Sequence, residues 1–341
     1  MPQRPRLPGA RGENRRRGGR EARVQRVGRP LASEPRPCLH FLVPNPGMKK
    51  LRNFLPESGF AAEDSISPKH VNFISFSFYA EDLTNGSYDD VLNAEQLQKL
   101  LYLLELTEDP SIIERALVTL GNNAAFSANQ VIIRELGGIP VVGSKIKDPN
   151  HSIKEKALNA LSNLSVNVEN QIKIKVYVNQ VCEDVLSGPL NSPVQLAGLR
   201  LLTNMTVTND HQHMFTNYIT DLFQVLLAGN GTTKVQVLKL LLNLSENPAM
   251  TEGLLGAQVD ASFLSLYDGH VAKEILLRAL TLFQNINNCL KKEGHLPVQP
   301  TFTQGSLFFL LYGEECAQKM RALVNHHDAD VKEKVTIIPK C

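Results

Sequence analysis

Five stretches of this chain each close a leucine-rich run on an asparagine: Ala116–Asn122, Ala157–Asn163, Leu199–Asn204, Leu238–Asn243 and Leu280–Asn285. The asparagines are spaced by 41, 41, 39 and 42 residues. A fixed period in that range marks a helical solenoid, whose units run to about 40–47 residues. Each unit of a solenoid contacts only its neighbours, so 341 residues can form one elongated body instead of two or three globules. The usual work of such a body is to offer a long concave surface to a partner.

The unit around the second asparagine shows the internal grammar. Asn129–Leu136 reads as a short helix, Gly137-Gly138 as its break and Ile139–Ile146 as a second helix. Lys147–His151 reads as a loop, and Ser152 to about Ser165 as a long third helix. Asn170-Gln171-Ile-Lys-Ile echoes Asn129-Gln130-Val-Ile-Ile at the same period. The first ordered helix is expected to start at Ala94 with Asn93 as its cap, and Pro110 suits the first turn of the next. Beyond Asn285 the pattern decays through Gly294–Pro297 and Pro300, with helices resuming at Gln304–Tyr312 and Glu314–Asn325. A terminal unit departs from the repeat because it must cap an open end.

Composition supports a core of Leu, Val, Ile and Ala, since 43% of residues are hydrophobic and Trp is absent. Cys38, Cys182, Cys289, Cys316 and Cys341 are scattered and odd in number, which fits free thiols. Charge divides the chain. Residues 1–60 hold 14 Lys and Arg against 4 Asp and Glu, leaving 22 basic and 30 acidic residues of the chain's 36 and 34 for the rest. Residues 1–80 therefore read as a disordered Arg/Pro/Gly-rich arm and linker, and residues 81–341 as the repeat domain. The basic arm fits a nuclear-localisation or nucleic-acid patch, a mitochondrial transit peptide disfavoured by Pro2, Pro5 and Pro8, an anionic-membrane anchor, or a solvated tail. Val71–Ala80 is too short and polar to span a membrane and reads as a short strand or docking segment of the linker.

Ala157–Ser165 and Arg134-Glu-Leu-Gly-Gly-Ile-Pro140 resemble the armadillo repeat. More narrowly, residues 81–341 resemble relatives of the X-linked armadillo proteins of the mitochondrial surface, on Asp89–Glu105 and Met205–Met214. The resemblance implies an all-α, right-handed α-solenoid of about five to six armadillo repeats, acting as an adaptor with neither catalysis nor cofactor. It implies partner proteins among mitochondrial trafficking and dynamics factors and transcription factors, with roles in mitochondrial distribution and in cell growth and survival. No small-molecule substrate or nucleic acid is implied. The implied place is the cytosolic face of the mitochondrial outer membrane or the endoplasmic reticulum. Members typically begin with an apolar anchoring helix, where this chain has its basic arm. Membrane attachment then requires an anchor these residues do not supply, and the cytosol or nucleus follows if the arm is native rather than a misassigned first exon.

Asn122, Asn163, Asn204, Asn243 and Asn285 match the family's groove asparagine, whose amide pairs with a bound peptide's backbone. The competing reading has them capping loops or bonding back into their own helices. One turn earlier stand Val118, Asn159, Arg200, Lys239 and Thr281, where nuclear-import receptors carry Trp, so recognition of nuclear localisation signals is not expected. Arg200 and Lys239 either receive an acidic or phosphorylated partner segment or are merely solvated. His211-Gln-His213 and His326-His327 read as surface loop histidines, because zinc needs three or four ligands at useful spacing. Phe308-Phe309 reads as capping-helix core, ahead of a docking patch on the terminal unit. No phosphate loop or nucleophile elbow is visible.

Overall fold

The computed structural model describes residues 91–292 and 302–337, all within one compact unit. The arm, Val71–Ala80, the expected start of order near Glu81, Gly294–Pro297, Pro300, Cys38 and Cys341 lie outside the described residues.

Every regular element described is helical, apart from one isolated bridge between Gln258 and Ser306. Helix α1 (Ala94–Leu106) begins where Asn93 caps it, in a capping box with Gln96. Asp109 caps α2 (Pro110–Asn123), with Pro110 in its first turn. The next unit is α3 (Ser127–Glu135), α4 (Gly138–Ser144) with a 3-10 turn at Lys145–Lys147, and the long α5 (His151–Leu164). Gly137 stands at φ 74°, a conformation that costs a residue with a Cβ, and Gly138 lies so close that a Cβ would come 2.7 Å from Ile133 Cγ2.

The third unit repeats this with α6 (Val168–Ile174), α7 (Val178–Ser187) and α8 (Pro193–Met205). In the fourth, a 3-10 segment (Asn209–Tyr218) replaces the first helix before α9 (Ile219–Ala228) and α10 (Gly231–Ser245). The fifth has α11 (Thr251–Gly256), a 3-10 segment (Ala261–Tyr267) and α12 (Lys273–Lys292). A shorter group follows: α13 (Leu307–Leu311), α14 (Glu314–Leu323) and α15 (Ala329–Ile337), the last packed on α12. The sequence reading had two helices here and did not anticipate α15.

The long helices α2, α5, α8, α10 and α12 stack in chain order. Their seam carries the period: Leu120, Leu161, Leu202, Leu241 and Phe283 are each 0% exposed, as are Leu117, Leu158, Leu199, Leu238 and Leu280. Each such burial contributes roughly 1.5–3 kcal/mol before entropy is set against it. No helix among the described residues is long and apolar enough to cross a membrane.

Two local expectations change. His211 is buried, not on the surface, because the 3-10 segment turns it inward while His213 stays exposed. Of the Phe308-Phe309 pair, only Phe308 packs, stacked on Phe302 with ring centroids 4.7 Å apart, whereas Phe309 is exposed.

Cys182, Cys289 and Cys316 are free and buried. Burial, with Glu183 beside it, pushes the Cys182 thiol up to about 12. Thiolate is the reactive form, so native Cys182 should resist maleimide at neutral pH and label only in denaturant. Labelling at equal rates in both states, read by mass spectrometry of the Cys182 peptide, would contradict that placement.

Candidate partner-binding face

Asn122, Asn163, Asn204 and Asn243 stand in the last turn of their long helices and Asn285 within α12, and four of the five reach backward across a repeat boundary. Asn163 Nδ2 donates to Gly121 O at 2.9 Å, Asn204 Nδ2 to Ser162 O at 2.8 Å, and Asn243 Nδ2 to Thr203 O at 3.0 Å. The three acceptors keep the 41-residue period. Asn285 Nδ2 donates instead to Ser245 Oγ at 3.0 Å. These four amides do not bond back within their own helices; they bind the closing turn of the helix before, where Asn204 and Asn243 also donate to Ser165 Oγ and Thr206 Oγ1 at 3.1 Å. They join each long helix to the one before it. Asn122, first in the row and half-buried, makes no side-chain hydrogen bond among the described residues.

A second row locks the same asparagines from the main-chain side. Gln130 Nε2 donates to Ala124 O and Asn163 O at 2.9 and 3.0 Å. Gln171 Nε2 donates to Ser165 O and Asn204 O at 2.9 and 3.1 Å. Gln212 Nε2 donates to Thr206 O and Asn243 O at 2.8 and 3.1 Å. Each glutamine is buried and brings a donor to carbonyls in the closing turn of a long helix and just past the end of the one before it. Sequence reasoning saw the first two as an echoing Asn-Gln pair. It passed over the third, which lies between the two histidines that invite a metal reading. The recurrence of Gln130, Gln171 and Gln212 at intervals of 41 was the missed signal.

For four of the five asparagines the donor side is therefore engaged within the protein, whereas the acceptor side meets no donor among the described residues. None of the five Oδ1 atoms accepts a hydrogen bond from a described residue. One turn earlier, Val118, Asn159, Arg200, Lys239 and Thr281 are all half-buried. Residues four apart share a helix face, so these five flank the ladder. The structure shows neighbours in this row meeting across a boundary: Arg200 Nη1 donates to Asn159 Oδ1 at 3.3 Å. Asn159 in turn donates to Glu155 Oε1 at 3.4 Å, and Glu155 pairs with Lys156 at 3.2 Å. Lys239 has no hydrogen bond or ion pair among the described residues. Thr281 bonds back to Leu277 O at 2.7 Å. What the face offers is a line of acceptors beside side chains of changing polarity.

Residues 92–312 match the sequence model of the Armadillo-like family. The chain belongs to that family. Solved armadillo structures share its fold. A designed armadillo repeat protein aligns with a TM-score of 0.58 at 15% identity, over 71% of this chain and 98% of its own. An engineered protein aligns at 0.58 and 17% identity, over 72% and 95%. A computationally designed armadillo repeat protein for modular peptide recognition aligns at 0.53 and 16%, over 64% and 94%. Armadillo arrays commonly serve as protein-binding scaffolds.

Proposed function

We propose that this chain is a non-enzymatic scaffold that holds an extended segment of a partner protein along its ladder face. The observation that carries the reading is the row of five Oδ1 acceptors that meet no donor among the described residues, four of them held in register by cross-repeat bonds. An extended peptide presents backbone N–H groups at a regular rise and has none of its own bonds to lose. The fold shared with a design made for peptide recognition supports the same reading. Asn122, Asn163, Asn204, Asn243 and Asn285 would take peptide N–H groups, with Arg200 and Lys239 meeting side chains.

Resemblance of Asp89–Glu105 and Met205–Met214 to mitochondrial-surface relatives supports partners among mitochondrial trafficking and dynamics factors and transcription factors. It supports a role in mitochondrial distribution and in cell growth and survival, exercised at the cytosolic face of the mitochondrial outer membrane or the endoplasmic reticulum. A second reading, a nuclear or nucleic-acid-associated protein, is carried by the charge of residues 1–60 alone.

The test acts on the ligand, because alanine at the ladder also breaks bonds between repeats. Peptides of about a dozen residues, selected from a random display library on the full chain, should lose binding when single backbone nitrogens are methylated at alternate positions. Indifference to methylation at every position would remove the ladder from the binding site.

A further inference from the structure

We infer that a cleft between the third and fourth units is a second docking site, one that takes an arginine or lysine side chain next to an aliphatic residue of a partner protein. It lies away from the ladder and does not rest on the reading proposed for it. Gln195, buried in the lining of the cleft, and Asn204 of the ladder are nine residues apart on α8, about 13–14 Å along the helix axis.

Shape is the first support. The cleft has a volume of about 760 Å³, within the roughly 300–1,000 Å³ of ligand-binding clefts. The closing turn of α7 forms one wall and a face of α9, reached from Tyr218 onward, forms the other. Leu186, Leu190 and Val225 supply apolar surface, and Glu183, Tyr218 and Asp221 supply polar groups. The cleft is accessible: Leu190 is 43% exposed, Glu183 is exposed, and Asp221 and Tyr218 are half-buried. The rim beside Leu190 is fixed. Asn191 stands at φ 63°, and its Oδ1 accepts from Asn230 N and Thr233 Oγ1 at 2.8 and 2.9 Å, bonds that cross from the third unit to the fourth.

Charge is the second. The lining holds two carboxylates and no Lys, Arg or His. Neither Glu183 nor Asp221 makes a side-chain hydrogen bond or ion pair with a described residue. The next carboxylate along α7, Asp184, is answered by Lys154 at 3.4 Å, so that lysine is already engaged. The end of α7 adds charge of the same sign, because Leu186 O and Ser187 O meet no donor among the described residues and a helix C-terminus is partially negative. A concave surface of one sign focuses its field on the opening. Burial, with Cys182 and Glu183 beside it, pushes the Tyr218 phenol up, so it stays a neutral hydroxyl in the same lining.

The next repeat supplies a comparison. Nine residues before its ladder asparagine, α10 carries Lys234, whose Nζ caps α9 through Leu226 O and Leu227 O at 2.9 and 2.8 Å. At the same place α8 carries Gln195, a neutral amide that donates to Val185 O at 2.8 Å. The protein thus brings its own cation to the carbonyls that end α9 and none to those that end α7. An arginine or lysine from outside suits the open place. Its aliphatic stem covers Leu186 and Val225 while its head meets Glu183 and Asp221. Leu190 at the rim then meets the apolar neighbour.

The probe is a blocked tripeptide, leucyl-arginyl-leucine amide, compared with its citrulline counterpart, which keeps the shape and loses the charge. Each is titrated into the full chain carrying labelled leucine and valine methyl groups, read by nuclear magnetic resonance. The methyl signals of Leu186, Leu190 and Val225 should shift saturably, and citrulline should weaken binding about threefold or more. Glu183→Gln and Asp221→Asn should each weaken the arginine peptide by a similar factor, and the double variant should bind the two peptides alike. Unchanged signals from the core methyls of Leu161 and Leu241 verify the fold of each variant, and the citrulline comparison needs no variant. Equal affinity for arginine and citrulline in the parent, a preference for arginine that survives in the double variant, or shifts confined to methyls beside the ladder such as Val118 would each overturn the inference.

Discussion

Gln171→Leu should destabilise the protein by about 2–3 kcal/mol and split its denaturation into two steps. Gln171 is 2% exposed, and its amide donates to Ser165 O at the end of α5 and to Asn204 O in α8. Leucine keeps the volume and removes both donors. Asn204 O retains Val207 N at 3.3 Å, whereas Ser165 O has no other partner among the described residues. A buried acceptor left without a donor costs about 1–3 kcal/mol, and the weakened second carbonyl adds to it. The location matters more than the sum. In a solenoid, stability is close to a sum of unit terms and nearest-neighbour terms. Gln171 serves the boundary between the second and third units, so its loss weakens one coupling and spares the rest. Urea titration followed by circular dichroism should then show two transitions, each with a smaller slope than that of the parent. A single transition displaced by less than about 0.5 kcal/mol, the level of an ordinary surface change, would show that the clamp does not couple the units.

The same residue shows what a single sequence can and cannot reveal. The apolar period was legible because burial at Leu161 or Leu202 depends on a face repeated in every unit, and that repetition is written in residue type. The asparagine row was legible for the same reason. Its bonds were not, since an amide that caps, bonds back or reaches across to another repeat has the same sequence. Only packing of α5 against α8 puts Ser162 O within reach of Asn204. Helix type was equally hidden at Asn209–Tyr218, where polar residues give no sustained apolar stripe and the chain winds as 3-10. That winding buries His211 and aims Gln212 at two carbonyls, overriding the surface expectation for a polar run. The end of the array was hard to read because a cap has no second copy to be compared with.

Phe263→Ala should cost about 3–5 kcal/mol. Phe263 is 0% exposed and meets two rings edge-on, Phe223 at 5.7 Å and Tyr267 at 5.8 Å between centroids. Phe223 belongs to α9 in the fourth unit, and Tyr267 shares the 3-10 segment of the fifth, with its hydroxyl donating to Ala279 O in α12 at 3.2 Å. Truncation removes the ring that spans the two units and leaves a cavity that a short 3-10 segment, packed on both sides, cannot close. Edge-on aromatic contacts add to the loss beyond buried area. Nearest-neighbour coupling confines the damage: hydrogen exchange should accelerate from α9 to α15 while α2 and α5 keep their protection. Uniform loss of protection along the chain would mean that the array unfolds as one body, and the unit-by-unit account of its stability would fail with it.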